Sequence, residues 1–273
     1  PKHHPDRQAG RPPDLAHQGG LRGEPIARHG PDQLDPVGAA RLRSLGVAIH
    51  LSTAVGKDVA LDDLRARFDY VFLGAGAQKG KKLGIPGEDA EGSVNGLDFL
   101  AAVANGAAPD LTGRRVVVVG GGNVAMDAAR VSLRLGASEA RVAYRRTRSE
   151  MPAHHVESKD AEAEGAVFEL LVAPTEVVTR DGRVTGLKLQ RMQLGAPDAS
   201  GRRSPEPVPG SEYVLDCDLV ISTIGMSPDP APFARLADTR GRITVDPRTL
   251  QTSVPYLFAA GDVTAGATDI TRA

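Results

Sequence analysis

The chain has 273 residues, 41% of them hydrophobic, with 31 glycines and a formal net charge of −1. That length can bury the core of one large or two ordinary α/β domains, and the near-neutral charge gives no basic field to hold nucleic acid or an anionic membrane. No apolar run reaches membrane-span length and no signal-peptide pattern precedes the first element, which sets the expectation of a cytoplasmic protein.

Residues 1–36 are dense in Pro, Gly, His and Arg, have no sustained period of two or 3.6, and are expected to be poorly ordered. His3, His4, His17 and His29 match no metal-ligand spacing, and no metal site is expected. Ala39 to Leu45 has helical spacing, Gly46 ends it, and Val47 to Leu51 is expected as a short strand. A helix over Val59 to Arg67 and an apolar strand over Asp69 to Leu73 follow, ending in Gly74-Ala75-Gly76-Ala77. That small-residue turn is either a tight turn between lobes or a close approach to a dinucleotide at Gly76. Asn95 to Ala104 is expected as a helix, and residues 105–113 as a linker.

Residues 116–130, VVVVGGGNVAMDAAR, carry the strongest signal in the chain. The valine run suits the centre of a parallel sheet, and it stops at three glycines that open a helix. Gly120, Gly122 and Ala125 fit G-x-G-x-x-G/A: a tight turn, a backbone open to pyrophosphate, and close packing of helix on strand. The pyrophosphate would lie on the helix N-terminus, near Gly121, Asn123 and Val124. The next strand, Glu139 to Tyr144, should deliver the residue that reads the adenosine ribose, and it delivers Arg145, Arg146 and then Arg148. A carboxylate there would select NAD(H); a guanidinium fork binds the 2′-phosphate of NADP(H). The alternative is a solvated basic loop.

A polar helix is expected over Val156 to Glu164. Val167 to Val172, Glu176 to Thr179, Val184 to Leu194 and Glu212 to Leu215 are expected as an antiparallel excursion with turns at Asp181-Gly182 and at residues 195–210. Asp218 to Ile224 returns as a buried strand ended by Gly225. Arg242 to Val245 and Tyr256 to Ala260 are further strands, the second delivering Gly261 and Asp262. Cys217 is the only cysteine, so an internal disulfide, a CxxC pair and a cysteine-ligated cluster are excluded within this chain, and with them a thioredoxin-reductase-like disulfide mechanism. Cys217 reads as a core residue. Asp127, Glu150 and His154 are polar candidates near the nucleotide site whose simpler reading is a solvated helix or loop position. No catalytic residue is assigned.

The stretches LGVAIHLSTAVGKD, DYVFLGAGA, LGIPGED, VVVVGGGNVAMDAAR, YRRTRSEMPA, residues 191–209, ISTIG and TSVPYLFAAGDV together resemble the glutamate synthase small subunit and its relatives, flavoprotein oxidoreductases with two dinucleotide-binding domains. The resemblance implies an α/β fold of two Rossmann-like domains, with an NADPH-binding domain (112–226) inserted in an FAD-binding domain represented by 37–111 and 227–273. It implies that Gly120, Gly122, Asn123 and Ala125 hold the NADPH pyrophosphate, Arg145 and Arg146 its 2′-phosphate, and Gly225 the cofactor at the hinge. Gly261 and Asp262 match the flavin motif whose aspartate accepts a hydrogen bond from the ribityl chain. The family's N-terminal FAD glycine cradle and its iron–sulfur domain have no counterpart, so the expectation is an incomplete member with a truncated FAD domain. The implied chemistry is hydride transfer from NADPH to FAD, with electrons passing to a larger catalytic subunit or an iron–sulfur acceptor. A non-catalytic NADP(H)-binding module is the alternative.

Overall fold

The computed structural model describes residues 36–197 and 203–266; the histidines at 3, 4, 17 and 29 and the expected disorder of residues 1–35 lie outside them. The chain divides into two units, residues 1–52 and 53–273. In the first, α1 (Pro36–Ser44) covers most of the expected helix and Gly46, at φ +84°, turns the chain out of it. No strand forms over 47–51 among the described residues, and Val47 and Leu51 are exposed.

The second unit begins with α2 (Leu61–Arg67), β1 (Val71–Leu73), β2 (Lys79–Gly80), β3 (Ser93–Asn95) and α3 (Gly96–Ala104). It continues through β4 (Arg115–Val119), α4 (Asn123–Arg134), β5 (Glu139–Tyr144), α5 (His155–Ala163) and β6 (Val167–Leu170). Then come β7 (Val172–Arg180), β8 (Arg183–Pro197), β9 (Arg203–Pro207), β10 (Tyr213–Asp216), β11 (Leu219–Ser222), β12 (Met226–Ser227), β13 (Leu257–Ala259) and α6 (Asp262–Ala265).

Five strands form a parallel sheet in the order β3-β11-β4-β5-β6. β4 explains the valine run, because it is buried on both faces. Val116 and Val118 pack with α3, α4 and α5 through Phe99, Met126 and Ala161. Val117 and Val119 pack with Val177, Leu187 and Leu189 of an antiparallel sheet, β10-β8-β7 with β9 on β8. Each of these valines, at most 3% exposed, contributes about 1.5–3 kcal/mol of burial. The I-P-G turn is stitched to that second sheet: Val177 N donates to Pro86 O at 2.8 Å.

Several expectations change. β6 pairs in parallel with β5, so residues 167–170 close the five-stranded sheet instead of opening the antiparallel excursion, and Leu171, at φ +55°, makes the break before β7. β3 and α3 precede residue 112 yet belong to this sheet and its core. β9 lies inside the stretch expected as a turn; two prolines in RSPEP hide it, and an edge strand tolerates them. Residues 242–245 make only an isolated bridge, Ala237 with Ile243.

A smaller lobe holds β1 and β13, paired in parallel from Val71↔Leu257 to Leu73↔Ala259, over a core of Phe233, Leu236, Ile243, Leu257 and Val263. The antiparallel pair β2 and β12 joins the lobes where the chain leaves and returns. The architecture is α/β with two dinucleotide-binding-type lobes, as expected.

Candidate dinucleotide site

The carboxyl ends of β4 and β11 flank the point where strand order reverses, since β5 follows β4 on one side while β11 arrives on the other after a long excursion. In open α/β sheets this crevice receives the ligand. Gly120 leaves β4 at φ +148°, and its N–H donates to Ala143 O at 3.1 Å. A Cβ on Gly120 would stand 2.2 Å from Thr223 Oγ1 and 2.7 Å from Thr223 O. Thr223 is held there by its own N–H and hydroxyl, both donating to Val119 O at 2.9 and 2.8 Å. Gly121 is bare for a different reason: the Tyr144 ring lies 2.6 Å from its virtual Cβ, and Tyr144 Oη donates to Glu150 O at 2.7 Å.

Gly122 alone faces open space, with nothing within 4 Å of its virtual Cβ. It is the N-cap of α4 and makes no side-chain cap hydrogen bond. Among the described residues the N–H groups of Gly121, Gly122, Asn123 and Val124 find no protein acceptor, while Ala125 N donates to Gly122 O at 2.9 Å. Four N–H groups without a protein acceptor thus lie at the positive end of a twelve-residue helix, beside the open space at Gly122. Ala125 is fully buried and lets α4 lie close on the sheet. The Asn123 side chain is turned to the neighbouring loop. Its Oδ1 accepts the His154 N–H at 2.9 Å and, with Ala153 N donating to Gly121 O at 2.9 Å, ties the segment after the arginines to the glycine turn.

That segment separates its three arginines. Arg148 pairs with Glu162 and lies 4.3 Å from the Phe168 ring centroid, so it is committed to the fold. Arg130, Arg134 and Arg141 are likewise paired with carboxylates. Arg145 is exposed and, among the described residues, has no partner. Arg146 is only 8% exposed, and its Nε donates to Arg203 O at 3.0 Å. Its two Nη groups have no described partner. No fully buried side-chain nitrogen among the described residues lacks a partner, so the Nη edge of Arg146 reaches solvent. Two guanidinium groups without carboxylates stand one strand-end from four free N–H donors. These residues fit an anionic dinucleotide with a further phosphate.

The polar candidates resolve into supports. Glu150 accepts from Thr147 N at 3.0 Å and from the Thr147 hydroxyl, which holds its carboxyl below the usual range. His154 caps α5, its Nδ1 accepting from Val156 N at 3.4 Å. Asp127 is pushed up, by partial burial first and by Glu157 second, and lies on α4 beyond the glycine turn. Cys217 is fully buried, and burial pushes its thiol up to about 12.

Gly225 follows β11 at φ +116°, and its carbonyl accepts Lys81 N at 3.0 Å. It lines a cavity of about 500 Å³ with Lys81, Met226, Ser227, Pro228, Arg240, Arg242, Ala265 and Gly266, so the hinge and the end of α6 share one cavity. Gly76 and Gly261 follow the parallel strands β1 and β13, and Asp262 opens α6. The described residues contain no second glycine cradle of the kind at 120–122.

Sequence comparison matches residues 41–273 to the family described as pyridine nucleotide-disulphide oxidoreductase. The chain belongs to this family. It is 47% identical over 236 residues to the NADP(+)-dependent formate dehydrogenase subunit beta of Moorella thermoacetica, covering 85% of this chain and 33% of that one. It is 40% identical over 240 residues to the glutamate synthase [NADPH] small chain of Escherichia coli K12, covering 81% and 51%. Among solved structures, Mycobacterium tuberculosis FprA in complex with NADPH superposes with a TM-score of 0.67 at 25% identity, covering 80% of this chain and 64% of that one. The resemblance to glutamate synthase small subunits stands, and the chain spans about a third to a half of the curated relatives just named.

The sequence alone pointed to the glycines and arginines described above, but not to Thr223, Tyr144 and Arg203, which pack against them. Thr223 and Tyr144 lie inside the motifs ISTIG and YRRTRSEMPA, and only packing shows what they touch. Arg203 lies 57 residues beyond the arginine it meets, a pairing that no local pattern carries. No described helix is long and apolar enough to cross a membrane.

Proposed function

We propose that this chain binds NADPH and, with FAD, forms the electron-input part of an oxidoreductase that passes electrons to a larger catalytic subunit or an iron–sulfur acceptor. The observation that carries the reading is the pairing, at the ends of neighbouring strands β4 and β5, of four backbone donors without a protein acceptor at residues 121–124 with Arg145 and Arg146, neither bound to a carboxylate. The names of the relatives support the same nucleotide, being NADP(+)-dependent, NADPH-linked or solved with NADPH. In this reading the pyrophosphate accepts from the N–H groups of Gly121, Gly122, Asn123 and Val124, with Ala125 and Gly120 shaping the turn. Arg145 and the Nη edge of Arg146 bind the 2′-phosphate with charge-assisted bonds. Gly225 leaves room for the nicotinamide end at the hinge, and Gly76, Gly261 and Asp262 face the flavin end. The layout is an NADPH-binding domain at 112–226, to whose sheet and core β3 and α3 also contribute, with the flavin-binding part in the rest of 37–111 and in 227–273.

When bound, the flavin supplies the hydride acceptor; the protein orients the two rings and keeps water from between them. A buried, protonated Cys217 takes no part, and the cytoplasm is the proposed location. A second reading, an NADP(H)-binding module without flavin chemistry, is favoured by one observation: no second glycine cradle among the described residues. Visible absorption of the purified protein separates them. Yellow protein that bleaches with NADPH supports the oxidoreductase; colourless protein that binds NADPH supports the module; protein that binds no NADPH overturns both.

A further inference from the structure

We propose that Arg203, at the start of β9, is a positioning residue for the 2′-phosphate site: its main-chain carbonyl aims the Arg146 fork, so the β8–β9 ribbon sets the preference for NADP(H). The inference rests on the NADP(H) reading of Arg146 and extends it to an element with no place in the glycine fingerprint.

Arg146 is gripped at two points. Its main-chain carbonyl accepts Leu171 N at 3.2 Å, and Leu171 O accepts Met192 N of β8 at 2.7 Å. Its side-chain Nε donates to Arg203 O at 3.0 Å. An arginine held through Nε cannot swing, and the edge left over is the pair of Nη groups, the edge that meets a phosphate with two parallel bonds. A carbonyl is the fitting partner for that grip. A carboxylate there would neutralise the guanidinium and repel the phosphate, whereas a carbonyl orients the fork and leaves its full charge to the ligand.

The carbonyl is itself fixed. The Arg203 side chain folds back on its own ribbon, donating from Nε to Gly195 O at 2.9 Å and from Nη2 to Leu194 O at 3.0 Å. These bonds cross the register shift between Leu194 and Pro197, where the regular β8–β9 ladder is interrupted. The Arg203 guanidinium is thereby occupied by carbonyls of β8, and its part is to hold the strand in place. Burial of Arg146 to 8% exposure makes the arrangement costly to lose, since a guanidinium without its carbonyl must find another acceptor or move outward.

The test uses 2′,5′-ADP and 5′-AMP as probes in calorimetric titrations of the full chain, so no flavin or turnover is needed. Arg203→Ala is expected to weaken 2′,5′-ADP about tenfold while leaving 5′-AMP unchanged, the scale of one well-aligned charged hydrogen bond. Arg203→Lys, which can still reach one of the two β8 carbonyls, is expected to restore part of the loss. In an Arg146→Ala background, Arg203→Ala is expected to add nothing. An unchanged 2′,5′-ADP affinity in Arg203→Ala overturns the proposal, as does an equal loss for 5′-AMP, which would mark general damage. A further loss in the Arg146→Ala background overturns it too, because Arg203 would then touch the phosphate itself. If Arg146→Ala alone leaves 2′,5′-ADP binding intact, the NADP(H) reading of that residue fails first, and this inference falls with it.

Discussion

Thr223 Oγ1 occupies the place where a side chain on Gly120 would begin, 2.2 Å from the virtual Cβ. The strand that returns from the excursion thus closes down on the glycine turn and fixes the geometry of the crevice. Gly120→Ala meets both this contact and a φ of +148°, so the variant is expected to lose about 2–3 kcal/mol of stability. Thermal denaturation checks it; an unchanged midpoint would show that Thr223 does not constrain the turn.

Gly122→Ala separates folding from binding. Its backbone has φ −93° and nothing lies within 4 Å of the added methyl, so the cost to stability should be only that of a poorer N-cap, about 1 kcal/mol or less. The methyl would project over the free donors of α4, and NADPH affinity should fall about tenfold or more. Equal affinity with equal stability would move the pyrophosphate away from Gly122.

Asp218 ties the start of β4 to the start of β11. Its Oδ2 accepts Arg115 N at 2.9 Å and Nε at 3.2 Å, and its Oδ1 accepts Nη2 at 3.0 Å. The Arg115 hydrogen bonds hold the Asp218 carboxyl below its ordinary value. A carboxyl lowered by folding contributes stability above its unfolded pKa and loses it as pH falls through the folded one. Asp218→Asn should therefore cost about 1 kcal/mol at neutral pH, discounted for the exposure of Arg115, and the gap from the unmodified chain should begin to narrow below about pH 4, the ordinary carboxyl range, and close only once pH falls through the lower folded value. Urea denaturation across pH checks it; a gap that persists in acid would assign the effect to packing.

Cys217 is expected to resist thiol reagents in the folded protein, because burial keeps it protonated with its thiol pushed up to about 12. Titration with a chromogenic disulfide should find no reactive thiol in native buffer and one in urea. Rapid native labelling would contradict the burial.

Much of this was legible from residues, and the exceptions have physical causes. The valine run of β4 announced itself because both its faces are buried, which leaves no polar position to interrupt the pattern. β3, with residues Ser-Val-Asn half-buried at a sheet edge, has no such pattern, and β2 and β12 are two residues each. Residues 47–51 alternate plausibly, but Val47 and Leu51 are both exposed, and alternation without a buried face makes no strand of a core. The three arginines after β5 look alike in sequence; only the positions of Glu162, Phe168 and Arg203 O separate Arg148 from Arg146. Gly120, Gly121 and Gly122 read as one motif, yet the first two are bare for Thr223 and Tyr144 and the third for open space.

The most direct test of the central claim is a pair of equilibrium titrations, NADPH and NADH, on the unmodified chain and on the Arg145→Ala/Arg146→Ala double variant, read by nicotinamide fluorescence. Two charged hydrogen-bonding groups place the expected loss of NADPH affinity at about a hundredfold, with NADH affinity little changed. A double variant that keeps the unmodified preference for NADPH over NADH would contradict the account.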